Sequence, residues 1–261
     1  MKHFFILTIT FLPLFFMACE RNNVNPDNTN DNFNNDTSSY KPKVVNNAVT
    51  DIEGNVYDAV EINGRMWMNS NLKTKKYANG TNISWNFDYC YPNNDLSNID
   101  KYGVLYRWDI ATENQASSNY PSGVQGICPD GWHIPSVVEW KSMLEYLQDM
   151  HQFQCGDCSE CIAKSLSSDN GWAYSGIECT PGNNMSTNNT TGFSAMPAGC
   201  YYVPGQNQSG EITGFGTSAW FWCSDCGNRY ASIITLNYQS EAYGVSTIYG
   251  RGMASVRCVK N

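Results

Sequence analysis

Hydrophobic and polar positions change rhythm three times along the chain. Phe4 to Phe16 is almost unbroken apolar sequence behind Lys2, and residues 20–50 are dominated by Asn, Asp, Ser and Thr. From Asp51 onward, short apolar runs alternate with turn residues to the end. In this last part, Val56 to Ile62, Asn63-Gly64 and Arg65 to Met68 predict a β-hairpin with a tight two-residue turn. Pro135 and then Ser136-Val137-Val138-Glu139 form a capping-box pattern, after which Trp140, Met143, Leu144 and Leu147 share one helical face. Gly103 to Thr112 carries Leu105, Trp108 and Ala111 at helical spacing and predicts a second helix. Alternation over Ala231 to Tyr238 predicts a strand. Met253 to Val259 alternates again, with Ala254, Val256 and Cys258 on one face. Residues 182–191 and 204–218 read as long polar loops. Helices early and strands late predict an α+β class with a mostly antiparallel sheet.

The first 18 residues read as an export signal. The apolar run is shorter than the roughly 20 residues a spanning helix needs, and Pro13 interrupts it. It ends in Phe16-Met17-Ala18-Cys19, which resembles a bacterial lipoprotein signal, where a small residue precedes a Cys that is acylated and becomes the new N-terminus. The alternative is an ordinary secretory signal with an incidental Cys. The expectation is therefore a lipid anchor (palmitate) at Cys19 and a flexible Asn-rich tether over residues 19–50. One folded domain over residues 51–261 follows, held to the membrane of the cell envelope and facing the outer membrane or cell surface. Residues 20–50 have too little apolar surface to offset the entropy of ordering them.

Composition sharpens this picture. The 261 residues carry a net charge of −8 with no basic run, which excludes a generic nucleic-acid binder. Aromatics at 13% exclude a wholly disordered chain. Apart from Cys19 there are ten cysteines: Cys90, Cys128, Cys155, Cys158, Cys161, Cys179, Cys200, Cys223, Cys226 and Cys258. An even number behind an export signal suits five disulfides. Cys155, Cys158 and Cys161 with His151 have zinc-like spacing, but an oxidising compartment favours disulfides, with Cys179 a plausible partner for one of the three. Cys223 and Cys226 read as members of two separate bridges. No catalytic residue, metal or cofactor is assigned. His133 sits in a packed turn, and His151 at a helix end, so a nucleophile–base pair is not evident.

Several segments together resemble the Fibrobacter succinogenes major paralogous domain, found in exported bacterial proteins. They include Asp51-Ile52-Glu53-Gly54-Asn55-Val56-Tyr57, Tyr102-Gly103-Val104-Leu105-Tyr106-Arg107-Trp108, and Cys128-Pro129-Asp130-Gly131-Trp132-His133-Ile134-Pro135-Ser136. Gly192-Phe193-Ser194-Ala195-Met196-Pro197-Ala198-Gly199, Trp220-Phe221-Trp222 and Ser255-Val256-Arg257-Cys258-Val259-Lys260 complete the set. The insertion from Cys155 to Cys179 and the stretch Cys223-Ser224-Asp225-Cys226 depart from the pattern. More distantly, the motifs are similar to formylglycine-generating-enzyme-like and C-type-lectin-like folds. That resemblance implies a compact, disulfide-stapled domain with two main helices, long loops and neighbouring N- and C-terminal strands. The family motifs bracket Cys128 and Cys258, which the resemblance suggests as a bridge.

Function then rests on the aromatics. Trp220, Phe221, Trp222 and Tyr230 cluster in sequence near Asp225 and Asn228. Aromatic faces with carboxylate and amide partners are a recurrent way to bind glycans. We therefore expect Tyr201, Phe221, Asp225, Asn228 and Tyr230 to form a ligand surface for a glycan or a surface protein. If residues 220–222 are extended, one parity is buried and Phe221 points the other way. An adhesion or binding module is favoured, with a structural role in a surface appendage and an exported enzyme as alternatives. For the enzyme, Asp225 with Glu241 would be a candidate carboxylate dyad.

Overall fold

Asn63 and Gly64 both take positive φ, 50° and 68°, and close the predicted hairpin between Ile62 and Arg65. The structure is a computed structural model that describes residues 41–85 and 88–261, which belong to one compact unit. The segment read as an export signal, Cys19 and the Asn-rich stretch up to residue 40 lie outside the described residues. Residues 43–50, read above as the end of a tether, form β1 (Lys43–Thr50), antiparallel to β2 (Val56–Ile62). Val44, Val45 and Val49 give this segment β-propensity, and the free edge of β2 supplies its backbone partners. β3 (Arg65–Met68) completes the hairpin. No helix among the described residues is long and apolar enough to cross a membrane.

Strands and short helices then alternate: β4 (Tyr89–Cys90), α1 (Ile99–Tyr102), β5 (Leu105–Arg107), α2 (Trp108–Ala111), β6 (Trp132–His133), α3 (Val137–Gln148) and α4 (Ala163–Leu166). The remainder is sheet: β7 (Ala198–Tyr202), β8 (Glu211–Phe215), β9 (Ser218–Gly227), β10 (Tyr230–Asn237), β11 (Gly244–Tyr249), β12 (Met253–Ala254) and β13 (Val259–Lys260). One sheet has the order β1-β2-β3-β13-β6; the other runs β11-β10-β9-β7-β12-β5-β4, with β8 paired to β7. All pairings among these strands are antiparallel except β7 with β9. β13 lies between β3 and β6, so it joins the first described strands to β6 in one sheet.

The capping box forms as expected. Ser136 Oγ accepts from Glu139 N, and Glu139 Oε2 accepts from Ser136 N at 3.1 Å. The second predicted helix does not form over residues 103–112. Gly103 has φ 75° and no room for a Cβ, which would lie 2.6 Å from Asn71 Cβ. Beyond it, Leu105 to Arg107 pair with β4 and β12, so sheet pairing overrides helical spacing and leaves one turn, α2. Residues 211–215, read as loop, are β8 against β7. The terminal run from Met253 to Val259 is buried at every position and is not one strand. Ser255, Val256 and Cys258 bond instead to Trp220, Leu72 and Met68.

Two apolar clusters share the central strands. Tyr57, Ala59, Trp222 and Ile233 belong to one; Val60, Ile62, Phe221 and Ile234 belong to the other, with the apolar face of α3. β2, β9 and β10 are thus covered on both faces. This corrects the expectation for residues 220–222: Phe221 and Trp222 are 1% and 0% exposed, because alternation marks only strands with one wet face. Arg257 is fully buried. It donates to Asn71 Oδ1, Met68 O, Phe193 O and Ser194 O and lies 4.7 Å from the Phe193 ring centroid and 5.4 Å from that of Phe221. Burial pushes its guanidinium down to about 9, so it is still charged at neutral pH.

Among the described residues three disulfides form: Cys128–Cys258, Cys155–Cys179 and Cys158–Cys161. The first is the pairing that the family resemblance suggests. The five-bridge expectation is corrected, because Cys90, Cys200, Cys223 and Cys226 are thiols. Cys223 belongs to the apolar cluster that holds Phe221, whereas Cys226 packs against the other cluster, with Trp222, and the two are not paired. Cys90 on β4 and Cys200 on β7 are both buried and unbridged.

Candidate functional site

The segment that carries Asp225, Asn228 and Tyr230 is shaped by an irregularity in β9. Ala231 faces Cys226 and Ile233 faces Trp222, so β9 takes four residue steps where β10 takes two. Such bulges bend a strand and redirect its side chains. Here the bulge carries Asp225 to the start of α3, where its Oδ2 accepts from Val137 N at 2.7 Å. Burial raises the Asp225 carboxyl above its usual range, with the nearby Glu139 charge acting in the same direction and the Val137 bond opposing both. β9 and β10 then join through Asn228 and Arg229, which have φ 50° and 70°.

Opposite the bulge, a loop is pinned along β9. Ser117 N donates to Ser224 O at 3.1 Å, and Ser224 Oγ donates to Ser117 O at 2.7 Å. Between this loop and the sheet lies an open groove of about 670 Å³. Ser117, Ser118, Asn228, Ser232 and Thr247 line it together with Asp225 and Tyr230. Tyr230 is 44% exposed, and its ring meets the buried Tyr249 edge-on at 5.7 Å. The groove therefore offers hydroxyl and amide groups beside one supported aromatic ring.

Three of the five residues expected to form a ligand surface are gathered here: Asp225, Asn228 and Tyr230. Phe221 is not; it packs in the aromatic cluster of Trp140 and Phe193, 5.5 Å and 6.0 Å from their centroids. Tyr201 lies apart, in a second concavity with Arg107 and Gln208. Trp220 is half-buried and donates to Ser218 Oγ; Trp222 donates to Tyr106 O. No shelf of several exposed aromatics forms from this stretch. Ser117, Ser118 and Thr247 come from a remote loop and from β11, and no motif in the sequence marks them.

The candidate dyad of Asp225 and Glu241 is not assembled. Asp225 lies near the start of β10 and Glu241 beyond its end, and eight extended residues span on the order of 25 Å. A glycosidase pair needs at most about 10 Å. Glu241 instead reaches Cys161 Sγ at 3.2 Å. His151 contacts Gln154 Oε1, and the neighbouring cysteines are bridged, so the zinc-like spacing does not become a four-ligand site. Cys158, Cys161 and Glu241 have ligand atoms within 4.8 Å of one another, but the first two are joined by a disulfide and cannot act as thiolates.

His133 is structural. Its Nε2 lies 2.8 Å from Glu139 Oε1, and its Nδ1 lies 2.6 Å from Asn261 Oδ1. Glu139 is buried and also accepts from Ser122 N and Ser136 N, with Arg65 at 3.2 Å. Burial alone would raise its carboxyl, but the bonds from His133, Ser136 and Ser122 outweigh it and hold it below the usual range. Neither described histidine is hydrogen-bonded to a serine or cysteine.

These features define a sheet-rich, disulfide-stapled α+β domain with an open polar groove at the loop end of its larger sheet. The chain belongs to the Fibrobacter succinogenes major domain family, whose model matches residues 60–260. Comparison with curated proteins and with solved structures returns no match.

Proposed function

We propose that this protein is a lipid-anchored binding module of the bacterial cell envelope that recognises a saccharide in the groove beside Tyr230. The observation that carries the reading is the exposed Tyr230 ring, backed by Tyr249 and bordered by Ser117, Asn228 and Thr247. A sugar ring presents an apolar face that can stack on an aromatic and hydroxyls that need polar partners. Loops held on a stapled sheet lose little entropy on binding. The lipid anchor rests on Met17-Ala18-Cys19 behind the apolar run. It would hold the domain to the envelope, probing outward on the Asn-rich segment. A C-type-lectin-like fold is consistent with the pairing of β13 beside β3 and with loops gathered at one end of the sheet.

The test is binding of the purified domain to an array of envelope and host glycans, with Tyr230→Ala and Asn228→Gly in parallel. Glycine keeps the positive φ of the turn. Saccharide binding that both substitutions weaken supports the reading. Binding that neither alters, with the fold intact, contradicts it.

A further inference from the structure

Another concavity, distinct from the one that holds Tyr201, adjoins the groove, and Cys226 lines both. It measures about 370 Å³ and receives Arg229, Arg251 and Gln206 from three different connections. Arg229 is the second residue of the β9–β10 turn, where its φ of 70° suits glycine or asparagine better than arginine. The side chain is fixed at its far end, since Nη1 donates to Gln206 Oε1 at 2.5 Å. Among the described residues neither Arg229 nor Arg251 forms an ion pair. The carboxylate in this concavity, Asp109, is already engaged by Arg107, whose Nε lies 2.8 Å from its Oδ1. Two guanidinium groups therefore face one cleft without a counter-ion, in a chain whose net charge is −8.

Guanidinium forks match carboxylates and sulfates, to which they donate two parallel hydrogen bonds. We infer that the saccharide bound beside Tyr230 is acidic, with a carboxylate or sulfate on a neighbouring sugar held by Arg229 and Arg251. The inference rests on the proposed saccharide groove and adds the class of ligand to it.

The experiment titrates the protein with oligogalacturonate, with its fully methyl-esterified form, with a sulfated heparin oligosaccharide and with an acidic Glu-rich peptide. Each is repeated with Arg229→Asn, Arg251→Gln and Tyr230→Ala, at low and high salt. Asparagine tolerates the left-handed turn, so the hairpin is kept. At least one acidic saccharide is expected to bind more tightly than the ester, and to weaken at high salt. Each arginine substitution should weaken it about fivefold and leave ester binding unchanged. Tyr230→Ala should weaken both saccharides. The preferred anion identifies carboxylate or sulfate. If the ester binds as well as the acids and the arginine variants change nothing, the acidic ligand is wrong while the groove reading survives. If no saccharide binds, or Tyr230→Ala has no effect, the groove reading fails and takes the inference with it. Equal binding of the peptide overturns the saccharide assignment.

Discussion

Replacing Arg257 with Ala removes a donor from four acceptors at once, three of them buried and Ser194 O part-buried. Asn71 Oδ1, Met68 O, Phe193 O and Ser194 O each accept from the guanidinium at 2.6–3.0 Å. A buried acceptor left unpaired costs about 1–3 kcal/mol, and water entering the vacated volume holds the cost near the lower end. Four acceptors then cost about 4 kcal/mol. Loss of the ring contacts to Phe193 and Phe221 adds about 1 kcal/mol, and relief from burying a charge offsets a similar amount. The expected loss is about 4 kcal/mol, a large share of the 5–15 kcal/mol typical of a domain. In thermal unfolding this corresponds to a fall of about 10 °C in Tm. Arg257→Lys keeps the charge but not the fork, and should lose roughly half as much. Urea unfolding of the three proteins measures the difference. A loss below about 1 kcal/mol for Arg257→Ala, with an unchanged slope, would refute the view that this side chain joins residues 68–71, 193–194 and the final strand.

Further outcomes follow from the buried pairs and the cysteines. The folded-state pKa of Glu139 is depressed, so its stabilisation is complete above the unfolded value near 4.5 and is lost as pH falls through the lower folded value. Urea midpoints of wild type should therefore fall in acid more steeply than those of Glu139→Gln, which should itself lose about 3 kcal/mol near neutral pH. Removing Cys128–Cys258, which closes a separation of 130 residues, should cost about 5 kcal/mol, against about 2 for Cys158–Cys161 with its separation of 3. Thiol alkylation followed by mass spectrometry should find Cys226 modified first in the native protein, and Cys90, Cys200 and Cys223 only on unfolding, because burial raises those three thiols and hides them. Replacing Cys19 with Ser should release the protein from membranes, as measured by fractionation without detergent.

What could be read in advance was local chemistry. Asn63-Gly64 and the Ser136–Glu139 box specify their turn and helix start from residues within a few positions, and both formed. Leu105, Trp108 and Ala111 mimic a helix, but Gly103 must approach Asn71 and Leu72, a contact no local spacing announces. The apolar run Ala219-Trp220-Phe221-Trp222-Cys223 was itself the sign of a strand covered on both faces, which alternation alone could not reveal. The groove is legible in part for the same reason. Asp225, Asn228 and Tyr230 lie on one bulged hairpin, whereas Ser117, Ser118 and Thr247 reach it only through tertiary pairing.

The most direct test of the account is the saccharide affinity of the wild type against Tyr230→Phe and Tyr230→Ala. An aromatic contact contributes about 1 kcal/mol, or roughly fivefold in Kd. The account predicts that Tyr230→Phe, which keeps the ring, binds within about twofold of wild type, and that Tyr230→Ala binds about fivefold more weakly. Equal affinity for all three, with each protein folded, would place the ligand somewhere other than this groove.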